Sequence, residues 1–204
     1  NDPAVRMQAM HDAEKILMTE LPIIPVYYYT NVWLDNGKVK NYTHDPLLGN
    51  MMFTWATKEG DDPIYYHLGA TPATLDPQLN NATDGANVIQ HLFVGLTMKD
   101  KNNAIVPGVA ESWTVSDDGL VWTFKLRNDA VWSDGKPVVA NDFIYAWKRA
   151  LDPATGSEYA YQVYYVKNAQ KINAGEMKVE DLGVKAIDDK TLEVTLEAAT
   201  PYFT

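Results

Sequence analysis

The stretch Pro107 to Phe143, PGVAESWTVSDDGLVWTFKLRNDAVWSDGKPVVANDF, decides the predicted fold of this chain. Within it, Trp122, Phe124 and Leu126 alternate with polar residues. An alternation of period two is typical of a strand that buries one face and exposes the other. We therefore expect a sheet whose buried face includes these three side chains.

Turn sequences divide the same stretch into elements. Ser116–Gly119 separates the strand from Trp113–Val115, and its residue types predict a hairpin turn. A second turn, Ser133–Pro137, precedes a helix predicted over Asn141–Leu151, whose first residues are types favoured in a first helical turn. None of this resembles a catalytic motif. A rigid scaffold with exposed loops indicates a binding protein.

On either side of this stretch, helices alternate with strands. Asp84 and Gly85 predict the cap of a helix with apolar positions at Val88, Ile89, Leu92 and Phe93. Downstream, a helix is predicted over Tyr159–Ala174, and a hairpin joins Val184–Ile187 to Leu192–Leu196. The predicted fold class is α/β, a mixed α+β sheet with flanking helices.

The first 63 residues are less regular. Asp2 and Pro3 predict the start of an amphipathic helix that runs to Glu20. Lys58–Pro63 combines charge, Gly and Pro and is interpreted as a linker. Three short runs are predicted as strands, of which the first contains Pro25 and is expected at an edge or irregular: Ile23–Tyr29, Met51–Ala56 and Ile64–Leu68.

Composition excludes several classes of protein. The net charge is −10, from 17 basic and 27 acidic residues, and no Lys/Arg cluster is present to bind nucleic acid. Cysteine is absent, which removes disulfides and thiol chemistry. No apolar run approaches the roughly 18 residues of a membrane span. No basic-then-apolar leader opens the chain, so we expect any export signal to be removed or absent.

No catalytic, cofactor or metal motif is found. The four histidines share no ligand spacing, and the sequence contains no GxSxG, GxGxxG or GxxxxGK[ST] pattern. The acidic pairs at 61–62, 117–118 and 188–189 fit turn chemistry better than a calcium loop. A glycosidase would need two carboxylates facing one cleft, and nothing places them so. We expect a protein that is not an enzyme, with no cofactor.

Residues 64–203 resemble the N-terminal part of the peptide-binding proteins of ABC importers, the oligopeptide- and dipeptide-binding type. The matching pieces are LDPQLNNATDGANVIQHLFVGL, the segment from PGVAESW to KRALDP, and DLGVKAIDDKTLEVTLEAATPYF. Residues 3–57, including AEKILMTELPIIPVYYYTN, resemble the C-terminal end of the same family. The resemblance therefore implies a circularly permuted and truncated form, in which segments 1–57 and 64–204 meet at a junction over 58–63 and together form one incomplete lobe.

The resemblance also implies a site. Such proteins close two lobes around a peptide, and Asn81, Ala82 and Thr83 match a segment that pairs with the peptide backbone, while Tyr29 and Tyr159 match aromatic residues that line the cleft. The family often has an acidic residue where this chain has Asn81, one suited to the amino terminus of the ligand.

The partners and place of action implied by the resemblance are an oligopeptide, the membrane subunits of the importer, and a location outside the cytoplasm in a bacterium, as a periplasmic or lipoprotein component. A second-lobe fragment or a second copy of the chain would complete the fold, and the lobe alone would bind peptide weakly or not at all. The alternative is an engineered permuted or excised scaffold without independent ligand binding.

Overall fold

The chain is described in a computed structural model over residues 2–28, 30, 32, 34–44, 50–60 and 63–204. It consists of two structural units, Asn1–Leu34 and Asp35–Thr204. Each unit is described by itself below. The prediction of a junction at 58–63 between two family-like segments stays a prediction.

The first unit contains helix α1, Pro3–Glu20, as predicted. Asp2 caps it, since its Oδ1 accepts a hydrogen bond from the Ala4 amide at 2.8 Å, and proline occupies the first helical position. The helix ends at Leu21, whose φ of +48° lies in the left-handed region. No residue of α1 is buried, so the expected amphipathic helix has no buried face here.

The predicted strand Ile23–Tyr29 is wrong over the described residues 23–28, which form no strand. Pro22 and Pro25 supply no main-chain N–H, so the segment offers an interrupted set of donors for a ladder. Ile24, Val26 and Tyr28 are strongly exposed. Tyr29 lies outside the described residues.

The second unit begins with two pairs of very short antiparallel strands. Val39–Lys40 (β1) pairs with Thr57–Lys58 (β4), and Thr43–His44 (β2) pairs with Met51–Met52 (β3). The strand predicted over Met51–Ala56 is therefore correct only for its first two residues. The strand predicted over Ile64–Leu68 is wrong, because these residues pair with no strand of the described chain.

Helix α2 spans Thr83–Leu92, and its cap lies two residues earlier than the cap predicted at Asp84–Gly85. Ala82 is the N-cap, and Gly85 lies inside the first turn, where a Cβ would fall 1.9 Å from Asn80 Oδ1. This glycine permits close approach rather than a cap. The next elements are β5, Thr97–Lys99, and β6, Ile105–Pro107, which form a hairpin.

A four-stranded antiparallel sheet is the centre of the unit. Its strands are β7 (Ala110–Val115), β8 (Val121–Leu126), β9 (Val184–Asp188) and β10 (Thr191–Thr195), in the order β7-β8-β10-β9. Both hairpins were predicted from the sequence. The pairing of β8 with β10 joins them, and it places Phe124 opposite Leu192 and Trp122 opposite Val194.

The predicted turns at Ser116–Gly119 and Ser133–Pro137 are confirmed. Asp118 accepts a hydrogen bond from the Leu120 amide at 3.0 Å, and Gly119 has a φ of +72° that favours glycine. In the second turn, Val131 forms a bridge with Pro137. The acidic pair Asp117–Asp118 therefore lies in a turn, as interpreted.

Helix α3, Ala140–Leu151, confirms the helix predicted after the second turn. The carboxylate of Asp142 accepts a hydrogen bond from the Val139 amide at 2.9 Å and so caps the first turn. The helix packs against the core through Phe143, Trp147 and Leu151. The helix ends before Asp152, whose side chain caps a 3-10 turn over Pro153–Thr155.

The single helix predicted over Tyr159–Ala174 is correct only in part. It consists of a 3-10 turn, Ala160–Val163, and a short helix α4, Ala169–Asn173. Asn168, just before α4, prevents one continuous helix because its φ of +67° lies in the left-handed region. Its side-chain amide donates a hydrogen bond to the Asp181 carbonyl at 2.8 Å.

The core lies between the sheet, α3 and α4. Its largest fully buried side chains come from all these elements and are Phe124, Leu151, Ile172, Leu192, Val166 and Val194. A hydrogen bond from Asn173 Nδ2 to the Leu151 carbonyl, 3.0 Å long, ties α4 to the end of α3. The predicted α/β fold class, in which helices flank a sheet, is confirmed.

Candidate functional site

A long-range contact brings together two of the segments singled out from the sequence. The side-chain amide of Asn81 donates a hydrogen bond to Glu158 Oε2 at 2.7 Å, across 77 positions of sequence. Glu158 directly precedes Tyr159, so the Asn81–Thr83 turn lies beside the segment that carries the predicted aromatic residue. We call residues 81–83 with 158–161 the candidate wall.

The aromatic part of the candidate wall is a pair of tyrosines. The ring centroids of Tyr159 and Tyr161 are 5.5 Å apart with an interplanar angle of 32°. Their exposed fractions are 45% and 51%, while Ala160 between them is buried. The 3-10 turn therefore anchors the segment through Ala160 and presents both rings to solvent.

The main chain of the turn has donors available. Asn81, Ala82 and Thr83 are exposed, and none of their main-chain N–H groups donates to another described residue. The Ala82 carbonyl, by contrast, accepts from Asn80 Nδ2 at 2.9 Å and from the Ala86 amide at 3.0 Å. The turn can thus offer N–H groups to an extended chain, while its central carbonyl is already engaged.

An ion pair fixes the loop that leads into this turn. Arg149 on α3 reaches Asp76 with two hydrogen bonds, Nη1 to Oδ1 at 2.8 Å and Nη2 to Oδ2 at 2.6 Å. Arg149 also donates to Gln78 Oε1. The side chains of the pair are 31% and 28% exposed, so solvent screens them only partly. The 76–80 loop is therefore held against the helix that packs on the sheet.

Electrostatics follow this geometry. The guanidinium of Arg149 lowers the pKa of Asp76. The main-chain N–H of Gln78, which donates to Asp76 Oδ1 at 3.0 Å, also lowers this pKa. The pKa of Arg149 is raised in turn by hydrogen bonding to Asp76. The pair stays ionised across the neutral range, and its role is to hold the loop.

Close packing completes the support of the turn. At Gly85 a Cβ would also fall 3.0 Å from the Thr74 carbonyl, so the first turn of α2 touches the preceding loop on two sides. Asn80 Oδ1 lies in the same space, while its amide group bonds to Ala82. The conformation of Asn81–Thr83 is therefore set by neighbours on both sides.

The sequence-predicted residues are distributed unevenly over this arrangement. Asn81, Ala82, Thr83 and Tyr159 lie together in the candidate wall, and their role as ligand contacts stays a prediction. Tyr29 lies outside the described residues. Sequence reasoning missed Glu158 and Tyr161, although the aromatic spacing in SEYAYQVYY signals a tyrosine-rich surface. It also missed Arg149, whose partner Asp76 is 73 positions away.

An apolar cavity of about 210 Å³ lies on the same unit. Gln162 and Val163 of the 3-10 turn, next to Tyr161 in sequence, line one side of this cavity. Its remaining lining comes from the start of β5, the sheet, α3, the segment before α4 and the last two residues: Leu96, Thr97, Phe124, Trp147, Val166, Phe203 and Thr204. No charged side chain lines it.

Metal-ligating clusters were sought over the described residues, and no group of three or more His, Cys, Asp or Glu side chains there is arranged to hold an ion. Within the same ranges, no helix combines the length and apolar character of a membrane span. Asp188 is the last residue of β9 and Asp189 lies in the β9–β10 turn, and Asp188 accepts from the Lys190 main-chain amide at 2.8 Å.

Comparison with known proteins relates this geometry to binding proteins. The chain is 47% identical over 137 residues to the periplasmic oligopeptide-binding protein OppA of Escherichia coli (strain K12), a match that covers 66% of this chain and 25% of that protein. It is 43% identical over 141 residues to the probable deoxycholate-binding periplasmic protein YgiS of the same organism, covering 68% of this chain and 26% of that protein.

A solved structure agrees with these matches. The structure of Haemophilus influenzae OppA in complex with RPPGFSPFR superposes with a TM-score of 0.65 at 43% identity, over 67% of this chain and 27% of that one. The chain thus spans about a quarter of the length of the relatives it matches.

The family match covers the sheet and the elements packed on it. Residues 104–204 match the bacterial extracellular solute-binding proteins, described as family 5 Middle. This range contains the four-stranded sheet, α3, α4 and the Glu158–Tyr161 part of the candidate wall. Over these residues the chain is similar to the bacterial extracellular solute-binding proteins of family 5.

Proposed function

We propose that this chain contributes one wall of an oligopeptide-binding cleft in a non-enzymatic solute-binding protein that serves an ABC-type importer outside the cytoplasm. One observation carries the proposal. Exposed main-chain N–H groups at Asn81–Thr83 lie beside the exposed Tyr159–Tyr161 pair, joined by the Asn81–Glu158 contact. The names of relatives at 42–47% identity, including OppA of Escherichia coli and of Bacillus subtilis, support the same ligand class.

The chemistry of the wall suits a peptide main chain. An extended peptide presents carbonyl groups that accept from exposed N–H donors, and these contacts are the same whatever the side chains are. Tyrosine rings offer apolar surface together with a polar hydroxyl, which tolerates varied side chains and bridging water. The wall therefore supplies affinity for peptide without strong sequence preference.

The partners follow from the same proposal. The oligopeptide is the ligand, and the importer membrane subunits receive it. A second-lobe fragment or a second copy of the chain covers the opposite face of the peptide, and Tyr29 adds to the aromatic lining. A wall that contacts only one face buries little ligand surface, so the 204-residue chain binds peptide weakly.

Photolabelling tests this proposal because it detects weak binding. The probe is the tripeptide alanyl-(p-benzoylphenylalanyl)-alanine, irradiated with the full chain and mapped by mass spectrometry. We expect saturable labelling at residues 81–83 and 158–163, displaced by a pool of unlabelled tri- to pentapeptides. Tyr159→Ala lowers labelling severalfold, whereas Tyr65→Ala, which removes another strongly exposed tyrosine, leaves it unchanged.

Two results would overturn the proposal. Labelling that no peptide displaces means that the chain has no peptide site and favours the scaffold alternative. Displacement by deoxycholate but not by peptides assigns the site to the ligand class named for one of the relatives. Isothermal calorimetry with the peptide pool then measures how weak the binding of the chain alone is.

A further inference from the structure

We propose that helix α1 is a docking surface for a second copy of this chain, and that two α1 helices pair antiparallel about a two-fold axis at Ala13. The inference goes beyond the proposed function, because it assigns an interaction surface in the first structural unit and involves no ligand. It is carried by the pattern of apolar and charged residues on a helix that buries none of its residues.

Helix α1 is long and lacks a buried face. Its 18 residues span about 27 Å, and Val5, Met7 and Met18 are among the apolar side chains that are at least half exposed. Most of the stability of a helix in a protein comes from packing of an apolar face. A long helix with this much exposed apolar surface therefore indicates a contact with another molecule.

One seam along α1 has the spacing of a helix that pairs with another helix. Positions 6, 10, 13, 17 and 20 alternate steps of four and three residues, so they form one line on the helix surface. The three inner positions are Met10, Ala13 and Leu17, and all three are exposed. The opposite face repeats the same spacing with polar residues only: Gln8, Asp12, Lys15 and Thr19. The seam is therefore apolar in the middle and backed by a polar face.

Charges at the two ends of the seam determine how a second copy fits. Arg6 and Glu20 each lie seven residues from Ala13, on opposite sides of it. In an antiparallel pair, Arg6 of each copy meets Glu20 of the other copy. A parallel pair would place Arg6 beside Arg6 and Glu20 beside Glu20, and like charges in contact are unfavourable. Charge complementarity therefore favours the second copy in an antiparallel orientation.

These two charges do not serve the stability of the helix itself. The helix macrodipole favours acidic residues near the N-terminus and basic residues near the C-terminus. Helix α1 has no acidic residue in its first turn and no basic residue in its last turn, which ends in Glu20. A contact outside the helix accounts for charges of these signs at these ends.

The antiparallel arrangement is self-complementary. Met10 of each copy packs near Leu17 of the other, and the small side chain of Ala13 lets the two main chains approach closely at the axis. Each contact occurs twice, so the association closes at a dimer. A guanidinium has five N–H donors, so Arg6 can bind the carboxylate of the second copy in addition to any contact in its own chain.

Sedimentation equilibrium of the full chain tests the pairing. One helix pair with exposed ion pairs gives a weak dimer, with a dissociation constant on the order of 100 μM. Arg6→Glu and Glu20→Arg each place like charges at both ends of the pair, and we expect each to weaken dimerisation about tenfold. The double variant restores opposite charges, so its dissociation constant returns to that of the parent chain.

Matched controls separate this effect from net charge and from unfolding of the helix. Lys15→Glu and Asp12→Arg make the same changes of charge on the polar face, and we expect both to leave the dissociation constant unchanged. Arg6→Glu and Glu20→Arg place charges of the signs that the macrodipole favours, so they do not weaken α1 itself. Far-UV circular dichroism checks the helix content of each variant.

Cross-linking gives a second readout that also detects a weak dimer. The chain has no cysteine, so Ala13→Cys introduces a unique thiol at the proposed axis. Copper phenanthroline oxidation should join two copies through this thiol several times faster than in Gln8→Cys, whose thiol lies on the polar face. Non-reducing electrophoresis measures both rates.

Three results would overturn the proposal. The first is a chain that stays monomeric and in which Ala13→Cys is joined no faster than Gln8→Cys. The second is a dimer that neither Arg6→Glu nor Glu20→Arg weakens, because another surface or a parallel orientation then holds it. The third is a dimer that both single variants weaken and the double variant does not restore, since Arg6 and Glu20 then do not meet.

Discussion

Helices α1 and α3 show what capping does and does not achieve. Both begin beside an aspartate that accepts a main-chain hydrogen bond, Asp2 for α1 and Asp142 for α3. Helix α3 has 12 residues and buries Ala140, Ala150 and Leu151, whereas α1 has 18 residues and buries none. Local sequence is sufficient to place a helix, but only a face that packs on a sheet makes it part of a cooperative core.

The largest expected effect separates these two helices directly. Leu151 is fully buried in α3 and Ile16 in α1 is 62% exposed. Replacing Leu151 with Ala leaves a cavity in the core and costs about 3 kcal/mol of unfolding free energy. Ile16→Ala changes it by less than about 0.5 kcal/mol. Urea unfolding followed by tryptophan fluorescence measures both. Equal losses would contradict the distinction between the helices.

The next effect concerns the ion pair between α3 and the loop before the candidate wall. Arg149→Ala leaves the Asp76 carboxylate half-buried without its partner, and we expect a loss of about 2 kcal/mol. Arg127→Ala is the matched control, because its pair with Asp129 is mostly exposed and screened by solvent, so we expect a smaller loss. Urea denaturation of both variants compares them. A larger loss for Arg127→Ala would refute the assigned role.

The same pair predicts a pH dependence. Arg149 lowers the pKa of Asp76, so the pair adds stability above the unfolded pKa of Asp, which is about 3.9. That contribution is lost as the pH falls through the lower pKa of the folded state. The stability difference between the parent chain and Arg149→Ala should therefore be constant near neutral pH and shrink below about pH 4. A difference that grows on acidification would contradict this account.

The smallest of the predicted stability effects tests the packing under the wall. Replacing glycine with alanine inside a helix normally raises the free energy of unfolding. Gly85→Ala, however, places a Cβ 1.9 Å from Asn80 Oδ1. We expect a loss of about 1 kcal/mol. The double variant Asn80→Ala, Gly85→Ala removes the clash, so its cost should be smaller than the sum of the two single changes. Additive costs would show that the contact is unimportant.

Much of the second unit could be predicted from the sequence because its signals are local. Alternation in Trp122–Leu126, turn residues at Ser116–Gly119 and the apolar face of α3 each involve neighbours in sequence. The short strands before residue 60 and the break at Asn168 could not be predicted from such local signals. Two-residue strands have no measurable period, and Asn168 depends on a bond to the distant Asp181 carbonyl.

The candidate site divides in the same way. The resemblance to peptide-binding proteins placed Asn81–Thr83 and Tyr159 as contacts, and the structure brings these two segments together. Glu158 could not be singled out, because an isolated glutamate after a turn has no signal until Asn81 is seen beside it. Strand-like composition also misled, since residues 23–28 and Ile64–Leu68 have strand propensity but no strand partner in the described chain.

Hydrogen–deuterium exchange of the full chain, with and without trialanine near saturation, tests the central claim most directly. The account predicts slower exchange of the main-chain amides at residues 81–83 and 159–163, with little change in α1, which buries no residue. Unchanged exchange at both segments, or slower exchange confined to other parts of the chain, would contradict the assignment of residues 81–83 and 158–161 as a peptide-binding wall.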